Sequence, residues 1–151
     1  MNDHRITFWV PGKPQGKARA RSTKTGRHYT PKQTVEYEKL VRACCPPCEK
    51  IEGPVRVAIT AWFLIPKSWS KIKKLDAAMG YVLPTVKPDV DNIAKAICDA
   101  LCKVTYQDDS QIVMLRVEKY YLSNEIDEQG VGVFIEPVHY AQPAEEGIDY
   151  A

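Results

Sequence analysis

Residues 87–101 read KPDVDNIAKAICDAL, and residues 107–115 read QDDSQIVML. At about 100° per residue, a helix through the first stretch gathers its apolar side chains on one face. These are Val90, Ala94, Ile97, Cys98 and Leu101. A second face carries Asp91, Asn92, Lys95 and Asp99. We therefore predict an amphipathic helix whose apolar face packs on a core and whose charged face borders a cleft or solvent.

Carboxylates from two segments are predicted to meet at the start of this helix. Pro88 suits a helix start, so Asp89 and Asp91 are expected at or just inside the first turn. The second stretch predicts a strand from Gln111 to Leu122, because apolar residues alternate with charged ones there. Asp109 has the same parity as the apolar residues and is expected to point toward the helix. Asp89, Asp91 and Asp109 should then converge.

Two structural readings compete with a functional one. Asp89 at a helix start is favoured as a cap, and Asp91 with Lys95 has the spacing of an ordinary ion pair within a helix. The second acidic pair, Asp108 and Asp109, favours a site. Converging like charges destabilise a fold unless a cation lies between them.

Mg²⁺ is the expected cation. It binds through a few carboxylates, keeps several waters and is completed by substrate phosphate. Asn92 would add a neutral oxygen, and Lys95 would stabilise charge on the phosphate or orient the attacking water.

These motifs resemble those of RusA, the family of small Holliday-junction resolvases of phages, prophages and bacteria. The resemblance rests on the run KPDVDNxxK, on Asp99-Ala100-Leu101 and on DDSQIV at 108–113. It implies that Asp89, Asp91 and Asp109 bind Mg²⁺, that Lys95 is the essential lysine and that Asp108 is a supporting carboxylate. It is strongest over residues 87–121 and weaker in the opening strand, the basic loop and the next helix.

The length of 151 residues predicts one domain, spanning 1–151, with a sizeable core. No segment approaches the ~20 apolar residues of a membrane span, and the first residues lack the plan of a secretory signal. The sequence therefore predicts a cytoplasmic protein with no membrane partner.

Charge is divided unevenly along the chain. Residues 1–50 carry 11 Lys and Arg against 4 Asp and Glu, a balance of +7, whereas residues 51–151 carry 10 against 15, a balance of −5. Residues 12–30 form a basic loop without acids, which we expect to stay mobile until a polyanion orders it. The predicted DNA contacts are Lys13, Lys17, Arg19, Arg21, Lys24 and Arg27. The competing reading is a solvated surface loop.

Five cysteines are an odd number, which argues against a disulfide framework. Cys44, Cys45 and Cys48 leave open a zinc site, although there is no second Cys-x-x-Cys and no histidine pair. That reading would make the chain a zinc-stabilised interaction protein.

The remaining elements predict an α+β domain with a mixed sheet and helices mainly on one face. Strands are expected over Ile6–Val10, Pro54–Ile65 and Val131–Ile135, and helices from Thr30–Pro31 and over Ser68–Met79. The last strand should pair with the strand from Gln111 as an antiparallel hairpin. Residues 137–151 are expected to form a loosely ordered acidic tail.

The sequence thus predicts a Mg²⁺-dependent endodeoxyribonuclease that resolves Holliday junctions by paired phosphodiester hydrolysis in recombination and repair. A four-way junction has approximate two-fold symmetry, so a homodimer presenting two sites is expected. The alternative is a non-catalytic nucleic-acid-binding module that uses its aspartates only as caps.

Overall fold

The computed structural model of the protein describes residues 4–18 and 21–139. Its strands are β1 (Ile6–Pro11), β2 (Arg21–Ser22), β3 (His28–Tyr29), β4 (Val55–Phe63), β5 (Ile112–Tyr121) and β6 (Gly130–Pro137). Its helices are α1 (Lys32–Cys44), α2 (Lys71–Ala78) and α3 (Val90–Leu101), with a short 3₁₀ turn at Asp109–Gln111. The architecture is the predicted α+β domain with a mixed four-stranded sheet.

The sheet has the order β1-β6-β4-β5. β6 is antiparallel to both of its neighbours, whereas β4 and β5 run parallel. A parallel pair needs a crossover connection, and here the crossover carries α2 and α3. In β4 the residues Val55, Val57 and Ile59 are buried and alternate with more accessible ones. This alternation gives the sheet one face for the core.

The core lies between that face and the helices α1 and α3. From α3 it receives Ile93, Ala94, Ala96, Ile97, Cys98, Ala100 and Leu101. Small alanine side chains allow the helix to approach its neighbours closely, and the larger Ile97 and Leu101 are fully buried. The predicted apolar face is confirmed except at Val90, which is 45% exposed because it lies at the first turn.

The predicted hairpin of the last two long strands is wrong. β6 pairs with β1 and β4, and β5 occupies the edge of the sheet on the far side of β4. The physical reason is burial: Val131, Val133 and Ile135 are almost wholly inaccessible and need a central strand. In β5, by contrast, Val113 and Leu115 are about half exposed, which an edge strand tolerates.

Element boundaries differ slightly from those expected. α1 begins at Lys32 with Pro31 in the cap position and no side-chain cap, so the predicted cap by Thr30 is wrong. α2 is shorter than predicted, and the Ser70 hydroxyl accepts a hydrogen bond from the backbone N–H of Lys73 at 3.2 Å.

The first part of the basic loop is packed rather than free, which corrects the expectation of mobility for residues 13–18. Pro14 is buried, and the backbone N–H of Lys17 donates to the carbonyl of Asn92 at 3.0 Å. A side chain at Gly16 would place its Cβ 2.9 Å from the Cβ of Asn92. The loop therefore lies directly against the first turn of α3.

Most of the predicted acidic tail, residues 140–151, lies outside the described residues. Within the described ranges, no helix has the length and apolar character needed to cross a membrane.

Candidate active site

Asp89 lies at the cap position of α3 but does not cap it. Its backbone is extended (φ −71°, ψ 156°), and its side chain makes no capping hydrogen bond. The residue is exposed. The reading of Asp89 as a structural cap is therefore wrong, and the carboxylate faces solvent at the positive end of the helix dipole.

A cavity of about 470 Å³ lies between α3 and the start of β5. Its charged lining comes from Asp91, Lys95 and Asp99 of α3 and from Asp109 before β5. Its apolar lining comes from Ala94, Cys98, Ile112, Val113 and Leu115. The predicted approach of Asp109 to the helix is confirmed for Asp91, because both residues line this cavity.

Asp109 stands on the 3₁₀ turn and not on the strand itself. Asp108 caps that turn: its Oδ1 accepts from the N–H of Ser110 at 2.8 Å, and the Gln111 side chain accepts from the N–H of Asp108 at 3.0 Å. The side-chain and backbone hydrogen bonds from Ser110 hold the pKa of Asp108 below its usual value. Asp108 thus supports Asp109 by shaping the turn that carries it.

Asp99 joins two lysines. Its Oδ2 lies 3.2 Å from the Nζ of Lys17 and 3.6 Å from the Nζ of Lys95. The competing reading, in which Lys95 forms an ion pair with Asp91, is therefore wrong, because Lys95 pairs with Asp99 on the next turn of α3. Asp99 shares the charged face of the helix, which was the available signal, but sequence reasoning gave it no role at the site.

Lys17 makes a second ion pair, with Glu38 of α1. Its side chain is only 21% exposed. Burial lowers its pKa, but the carboxylates of Glu38 and Asp99 outweigh burial and raise it overall. In this arrangement the ammonium of Lys17 joins the loop, α1 and α3, and its two carboxylate partners compete with a phosphate for it.

A second cavity, of about 380 Å³, lies on the other side of the α3 start. Asp89 lines it together with three lysines, Lys13, Lys17 and Lys87. Asn92, expected as a neutral ligand, also lines this cavity, where Gly16 packs against it. Asp89 and Asp91 therefore open on neighbouring cavities.

The remaining predicted DNA contacts are placed unevenly. Lys24 and Arg27 are exposed in the turn between β2 and β3. Arg19 lies outside the described residues, and of Arg21 only the backbone, in β2, is described.

Among residues 4–18 and 21–139, no three His, Cys, Asp or Glu side chains are arranged to hold a metal ion. The predicted convergence is thus incomplete: Asp91 and Asp109 share a cavity, and Asp89 does not form a ready-made cluster with them. This pair still suits Mg²⁺, which takes one or two carboxylates and fills its other positions with water and phosphate.

The same finding contradicts a zinc site formed by Cys44, Cys45 and Cys48 within the described chain. A different cysteine lies beside the cavity. Cys102 follows the last residue of α3, its thiol donates to the carbonyl of Gln107 at 3.6 Å, and the carboxylate of Asp109 acts on it electrostatically. Desolvation and that carboxylate raise the pKa of Cys102.

The sequence of this chain matches a family of enzymes that cleave DNA. A family model described as Endodeoxyribonuclease RusA matches residues 11–136, which include all three helices, β4, β5 and nearly all of β6. This match marks the protein as a hydrolase that acts on DNA. The chain belongs to the RusA endodeoxyribonuclease family, whose members act on branched DNA junctions.

A curated protein is similar to this chain over most of its length. The chain is 40% identical over 124 residues to the uncharacterized protein YqaN of Bacillus subtilis (strain 168). The alignment covers 77% of this chain and 87% of that protein.

Proposed function

We propose that this protein is a Mg²⁺-dependent, structure-selective endodeoxyribonuclease that resolves Holliday junctions by paired phosphodiester hydrolysis in recombination and repair. The observation that carries the proposal is the shared cavity of Asp91, Asp109 and Lys95. It lies beside a second cavity that Asp89 lines together with three lysines. Acidic oxygens and cations therefore stand next to each other, as a metal-assisted phosphodiesterase requires.

Asp91 and Asp109 would hold Mg²⁺ in this cavity, with Asp89 as the third carboxylate at the helix start. When bound, Mg²⁺ supplies an activated water and balances charge on the leaving oxygen. The chain itself fixes the two carboxylates on different elements, α3 and the turn capped by Asp108. Positioning from two rigid elements favours one orientation of the scissile phosphate between them.

Lys95 would stabilise the negative charge that develops on the phosphate. The side chain of Lys95 is 63% exposed and lines the cavity, and its Nζ lies 3.6 Å from the Oδ2 of Asp99. An exposed pair of this kind is weak, so the ammonium can turn from Asp99 to a bound phosphate at little cost. Asp99 then acts as a positioning residue.

Lys13 and Lys87 beside Asp89, with Lys24 and Arg27 on the β2–β3 turn, would contact the DNA backbone. Contacts of this kind fix register and give affinity that depends on salt. Lys13, Lys24 and Arg27 belong to the proposed DNA-binding loop, residues 12–30, and Lys87 precedes α3.

The proposed working unit is a homodimer, because two cuts at symmetry-related positions need two sites. An exposed apolar face of α2 supports a contact between copies. Ile72, Leu75 and Met79 recur at helical spacing and are 76%, 58% and 59% exposed. Exposed apolar side chains on one face mark an interaction site when together they form a large contiguous patch. Sedimentation of Leu75→Lys against the unaltered protein tests it, and an unchanged dimer would exclude this face.

The function is tested with a synthetic four-way junction and a linear duplex of matched sequence, each with and without Mg²⁺. We expect paired nicks in the junction only when Mg²⁺ is present, and little cutting of the duplex. Asp91→Asn should retain junction binding in a gel-shift assay. Its cleavage rate should fall by more than the roughly 10–100-fold that is lost when a residue hydrogen-bonded to a metal ligand is replaced.

Asp127→Asn is the matched control, since Asp127 is an exposed aspartate in the connection between β5 and β6. It should cleave normally. Full cleavage by Asp91→Asn would remove the assigned role. Junction binding without cleavage under any divalent ion, and no Mg²⁺ binding by calorimetry, would instead favour a non-catalytic binding module.

A further inference from the structure

One face of the four-stranded sheet carries no helix in the described part of the chain. Helices α1 and α3 pack on the face to which Val57 and Ile59 point. The alternate residues of each strand form the opposite side, which we call the open face. Strand pairing sets Trp9, Gly132 and Thr60 side by side there, and none of the three is buried. The open face is therefore accessible across the width of the sheet.

Four aromatic rings, one from each strand, lie on the open face. Trp62 of β4 and Tyr120 of β5 are neighbours, with ring centroids 5.3 Å apart and planes tilted by 32°. Trp9 of β1 lies against β6, where a side chain at Gly130 would overlap the indole. Phe134 of β6 is the fourth ring. Accessible aromatic rings of this kind are surfaces on which the flat faces of nucleic-acid bases stack.

A groove of about 450 Å³ crosses the open face. Trp9 and Phe134 line it together with the small side chains of Ala58 and Thr60. Because these side chains are small, they leave the space beside the two rings open. The groove can therefore admit an unpaired base, whose flat face would contact a ring.

Arginines border the rings and give the open face a positive margin. Arg5 and Arg56 share the carboxylate of Glu136, at 3.6 and 2.9 Å, and Arg116 pairs with Glu118 at 2.6 Å. Three cations are therefore balanced by two carboxylates. The side chains of Arg56 and Arg116 are 50% and 77% exposed, and exposed ion pairs are weak. Their guanidinium groups can turn toward a phosphate at little cost.

The other end of the open face is acidic. The connection between β5 and β6 brings Glu125, Asp127 and Glu128 beside Trp9, around a cavity of about 180 Å³. These carboxylates would repel a chain of phosphates, whereas the arginine margin would attract one. A bound strand should therefore cross the open face on the side of Arg56, away from this connection.

We propose that the open face is a binding site for single-stranded DNA. Unpaired bases stack in the groove of Trp9 and Phe134 and on the pair Trp62 and Tyr120, and the arginine margin holds the phosphates. Base faces are accessible in this way only where a strand is unpaired. The site lies on the other side of the sheet from the cavity between α3 and the start of β5. It therefore goes beyond the proposed cleavage reaction and does not depend on it.

The test is the binding of a labelled oligothymidine to the full chain, measured by fluorescence anisotropy with a chelator present. Oligothymidine forms no duplex with itself, and the chelator removes divalent ions, so failure of the proposed nuclease would leave this measurement unaffected. Trp62→Leu should weaken binding by about 5–100-fold, the loss expected for one stacked base. Trp69→Phe is the matched control, since Trp69 packs against the buried Tyr121. It should bind as the unaltered protein does.

Two further measurements separate the open face from the basic loop. A duplex of the same length should bind Trp62→Leu and the unaltered protein equally. Arg116→Gln should reduce the slope of log K against log salt for oligothymidine by about 0.7, the value for one phosphate of a single strand. Arg42→Gln, which changes an exposed arginine of α1, should leave the slope unchanged.

The proposal is overturned if oligothymidine does not bind, or if Trp62→Leu and Trp69→Phe bind it equally well. Urea unfolding checks the fold of Trp62→Leu, and Tyr120→Leu on the edge strand gives the same measurement if that variant does not fold. The proposal is also overturned if Trp62→Leu loses self-association in sedimentation while oligothymidine binding is intact. The open face would then hold a second copy of the chain.

Discussion

Replacing Lys17 by methionine separates two roles that the sequence alone confounds, namely DNA contact and fold stability. The structure places the ammonium between Glu38 and Asp99, and all three side chains are largely covered, at 21%, 16% and 24% exposure. Methionine preserves the length of the aliphatic stem but removes the charge. Two carboxylates from α1 and α3 would then face each other without the cation between them.

The expected loss of stability follows from burial. An exposed ion pair contributes about 0–1 kcal/mol, whereas removing one partner of a buried pair costs about 3–5 kcal/mol. The intermediate exposure of this group gives about 1–3 kcal/mol for Lys17→Met. With a urea m-value near 2 kcal/mol/M, the unfolding midpoint should fall by about 0.5–1.5 M.

Lys13→Met is the matched control, since Lys13 belongs to the same loop but is exposed beside Asp89. Its unfolding free energy should change by less than about 0.5 kcal/mol. Junction binding should instead weaken, and the slope of log K against log salt should fall by about 0.9 if one phosphate contact is lost. Lys17→Met should leave that slope unchanged. A stable Lys17→Met protein with a reduced slope would refute the reasoning.

The pH dependence gives an independent check. The pKa of Lys17 is raised above its usual value of 10.5 in the folded protein. A raised pKa contributes stability that is fully present below the unfolded value and lost as pH rises through the folded one. The difference in stability between the unaltered protein and Lys17→Met should therefore be constant from neutral pH to about pH 10, where both carboxylates are charged, and shrink above 10.5.

Three further predictions concern the start of α3 and the turn facing it. Asp108→Ala should lower the urea midpoint because the 3₁₀ turn loses its cap, whereas Asp89→Ala should leave it unchanged; equal losses would restore a capping role for Asp89. Gly16→Ala should cost about 1–3 kcal/mol in urea unfolding, since the new Cβ meets Asn92 at 2.9 Å; an unaffected midpoint would mean that the loop moves freely. Asp99→Asn should raise the KM for a junction more than it lowers kcat at saturating Mg²⁺, because it loosens the position of Lys95; the reverse pattern would place Asp99 in the chemical step.

Local sequence patterns were sufficient to predict the helix α3 and the strand β4. Periodicity located α3 and β4, because one buried face imposes a repeat on the sequence whatever the neighbouring elements are. The predicted strand parity did not place Asp109, which lies on the 3₁₀ turn before β5, yet Asp91 and Asp109 line one cavity. The pairing of strands could not be predicted from local patterns. The hairpin was expected because β5 and β6 are consecutive in the chain, whereas β6 lies inside the sheet, where Val131 and Val133 are buried.

The sequence by itself determined that acidic residues stand at a helix start and before a strand, and that the first third of the chain is basic. Only the tertiary structure decided which charges meet. In the folded chain Lys17 forms ion pairs with Glu38 and Asp99, and Lys95 forms one with Asp99. Asp89 and Asp91 line different cavities. The reason is that periodicity fixes the face on which a side chain lies, whereas an ion pair depends on distances between elements far apart in the chain.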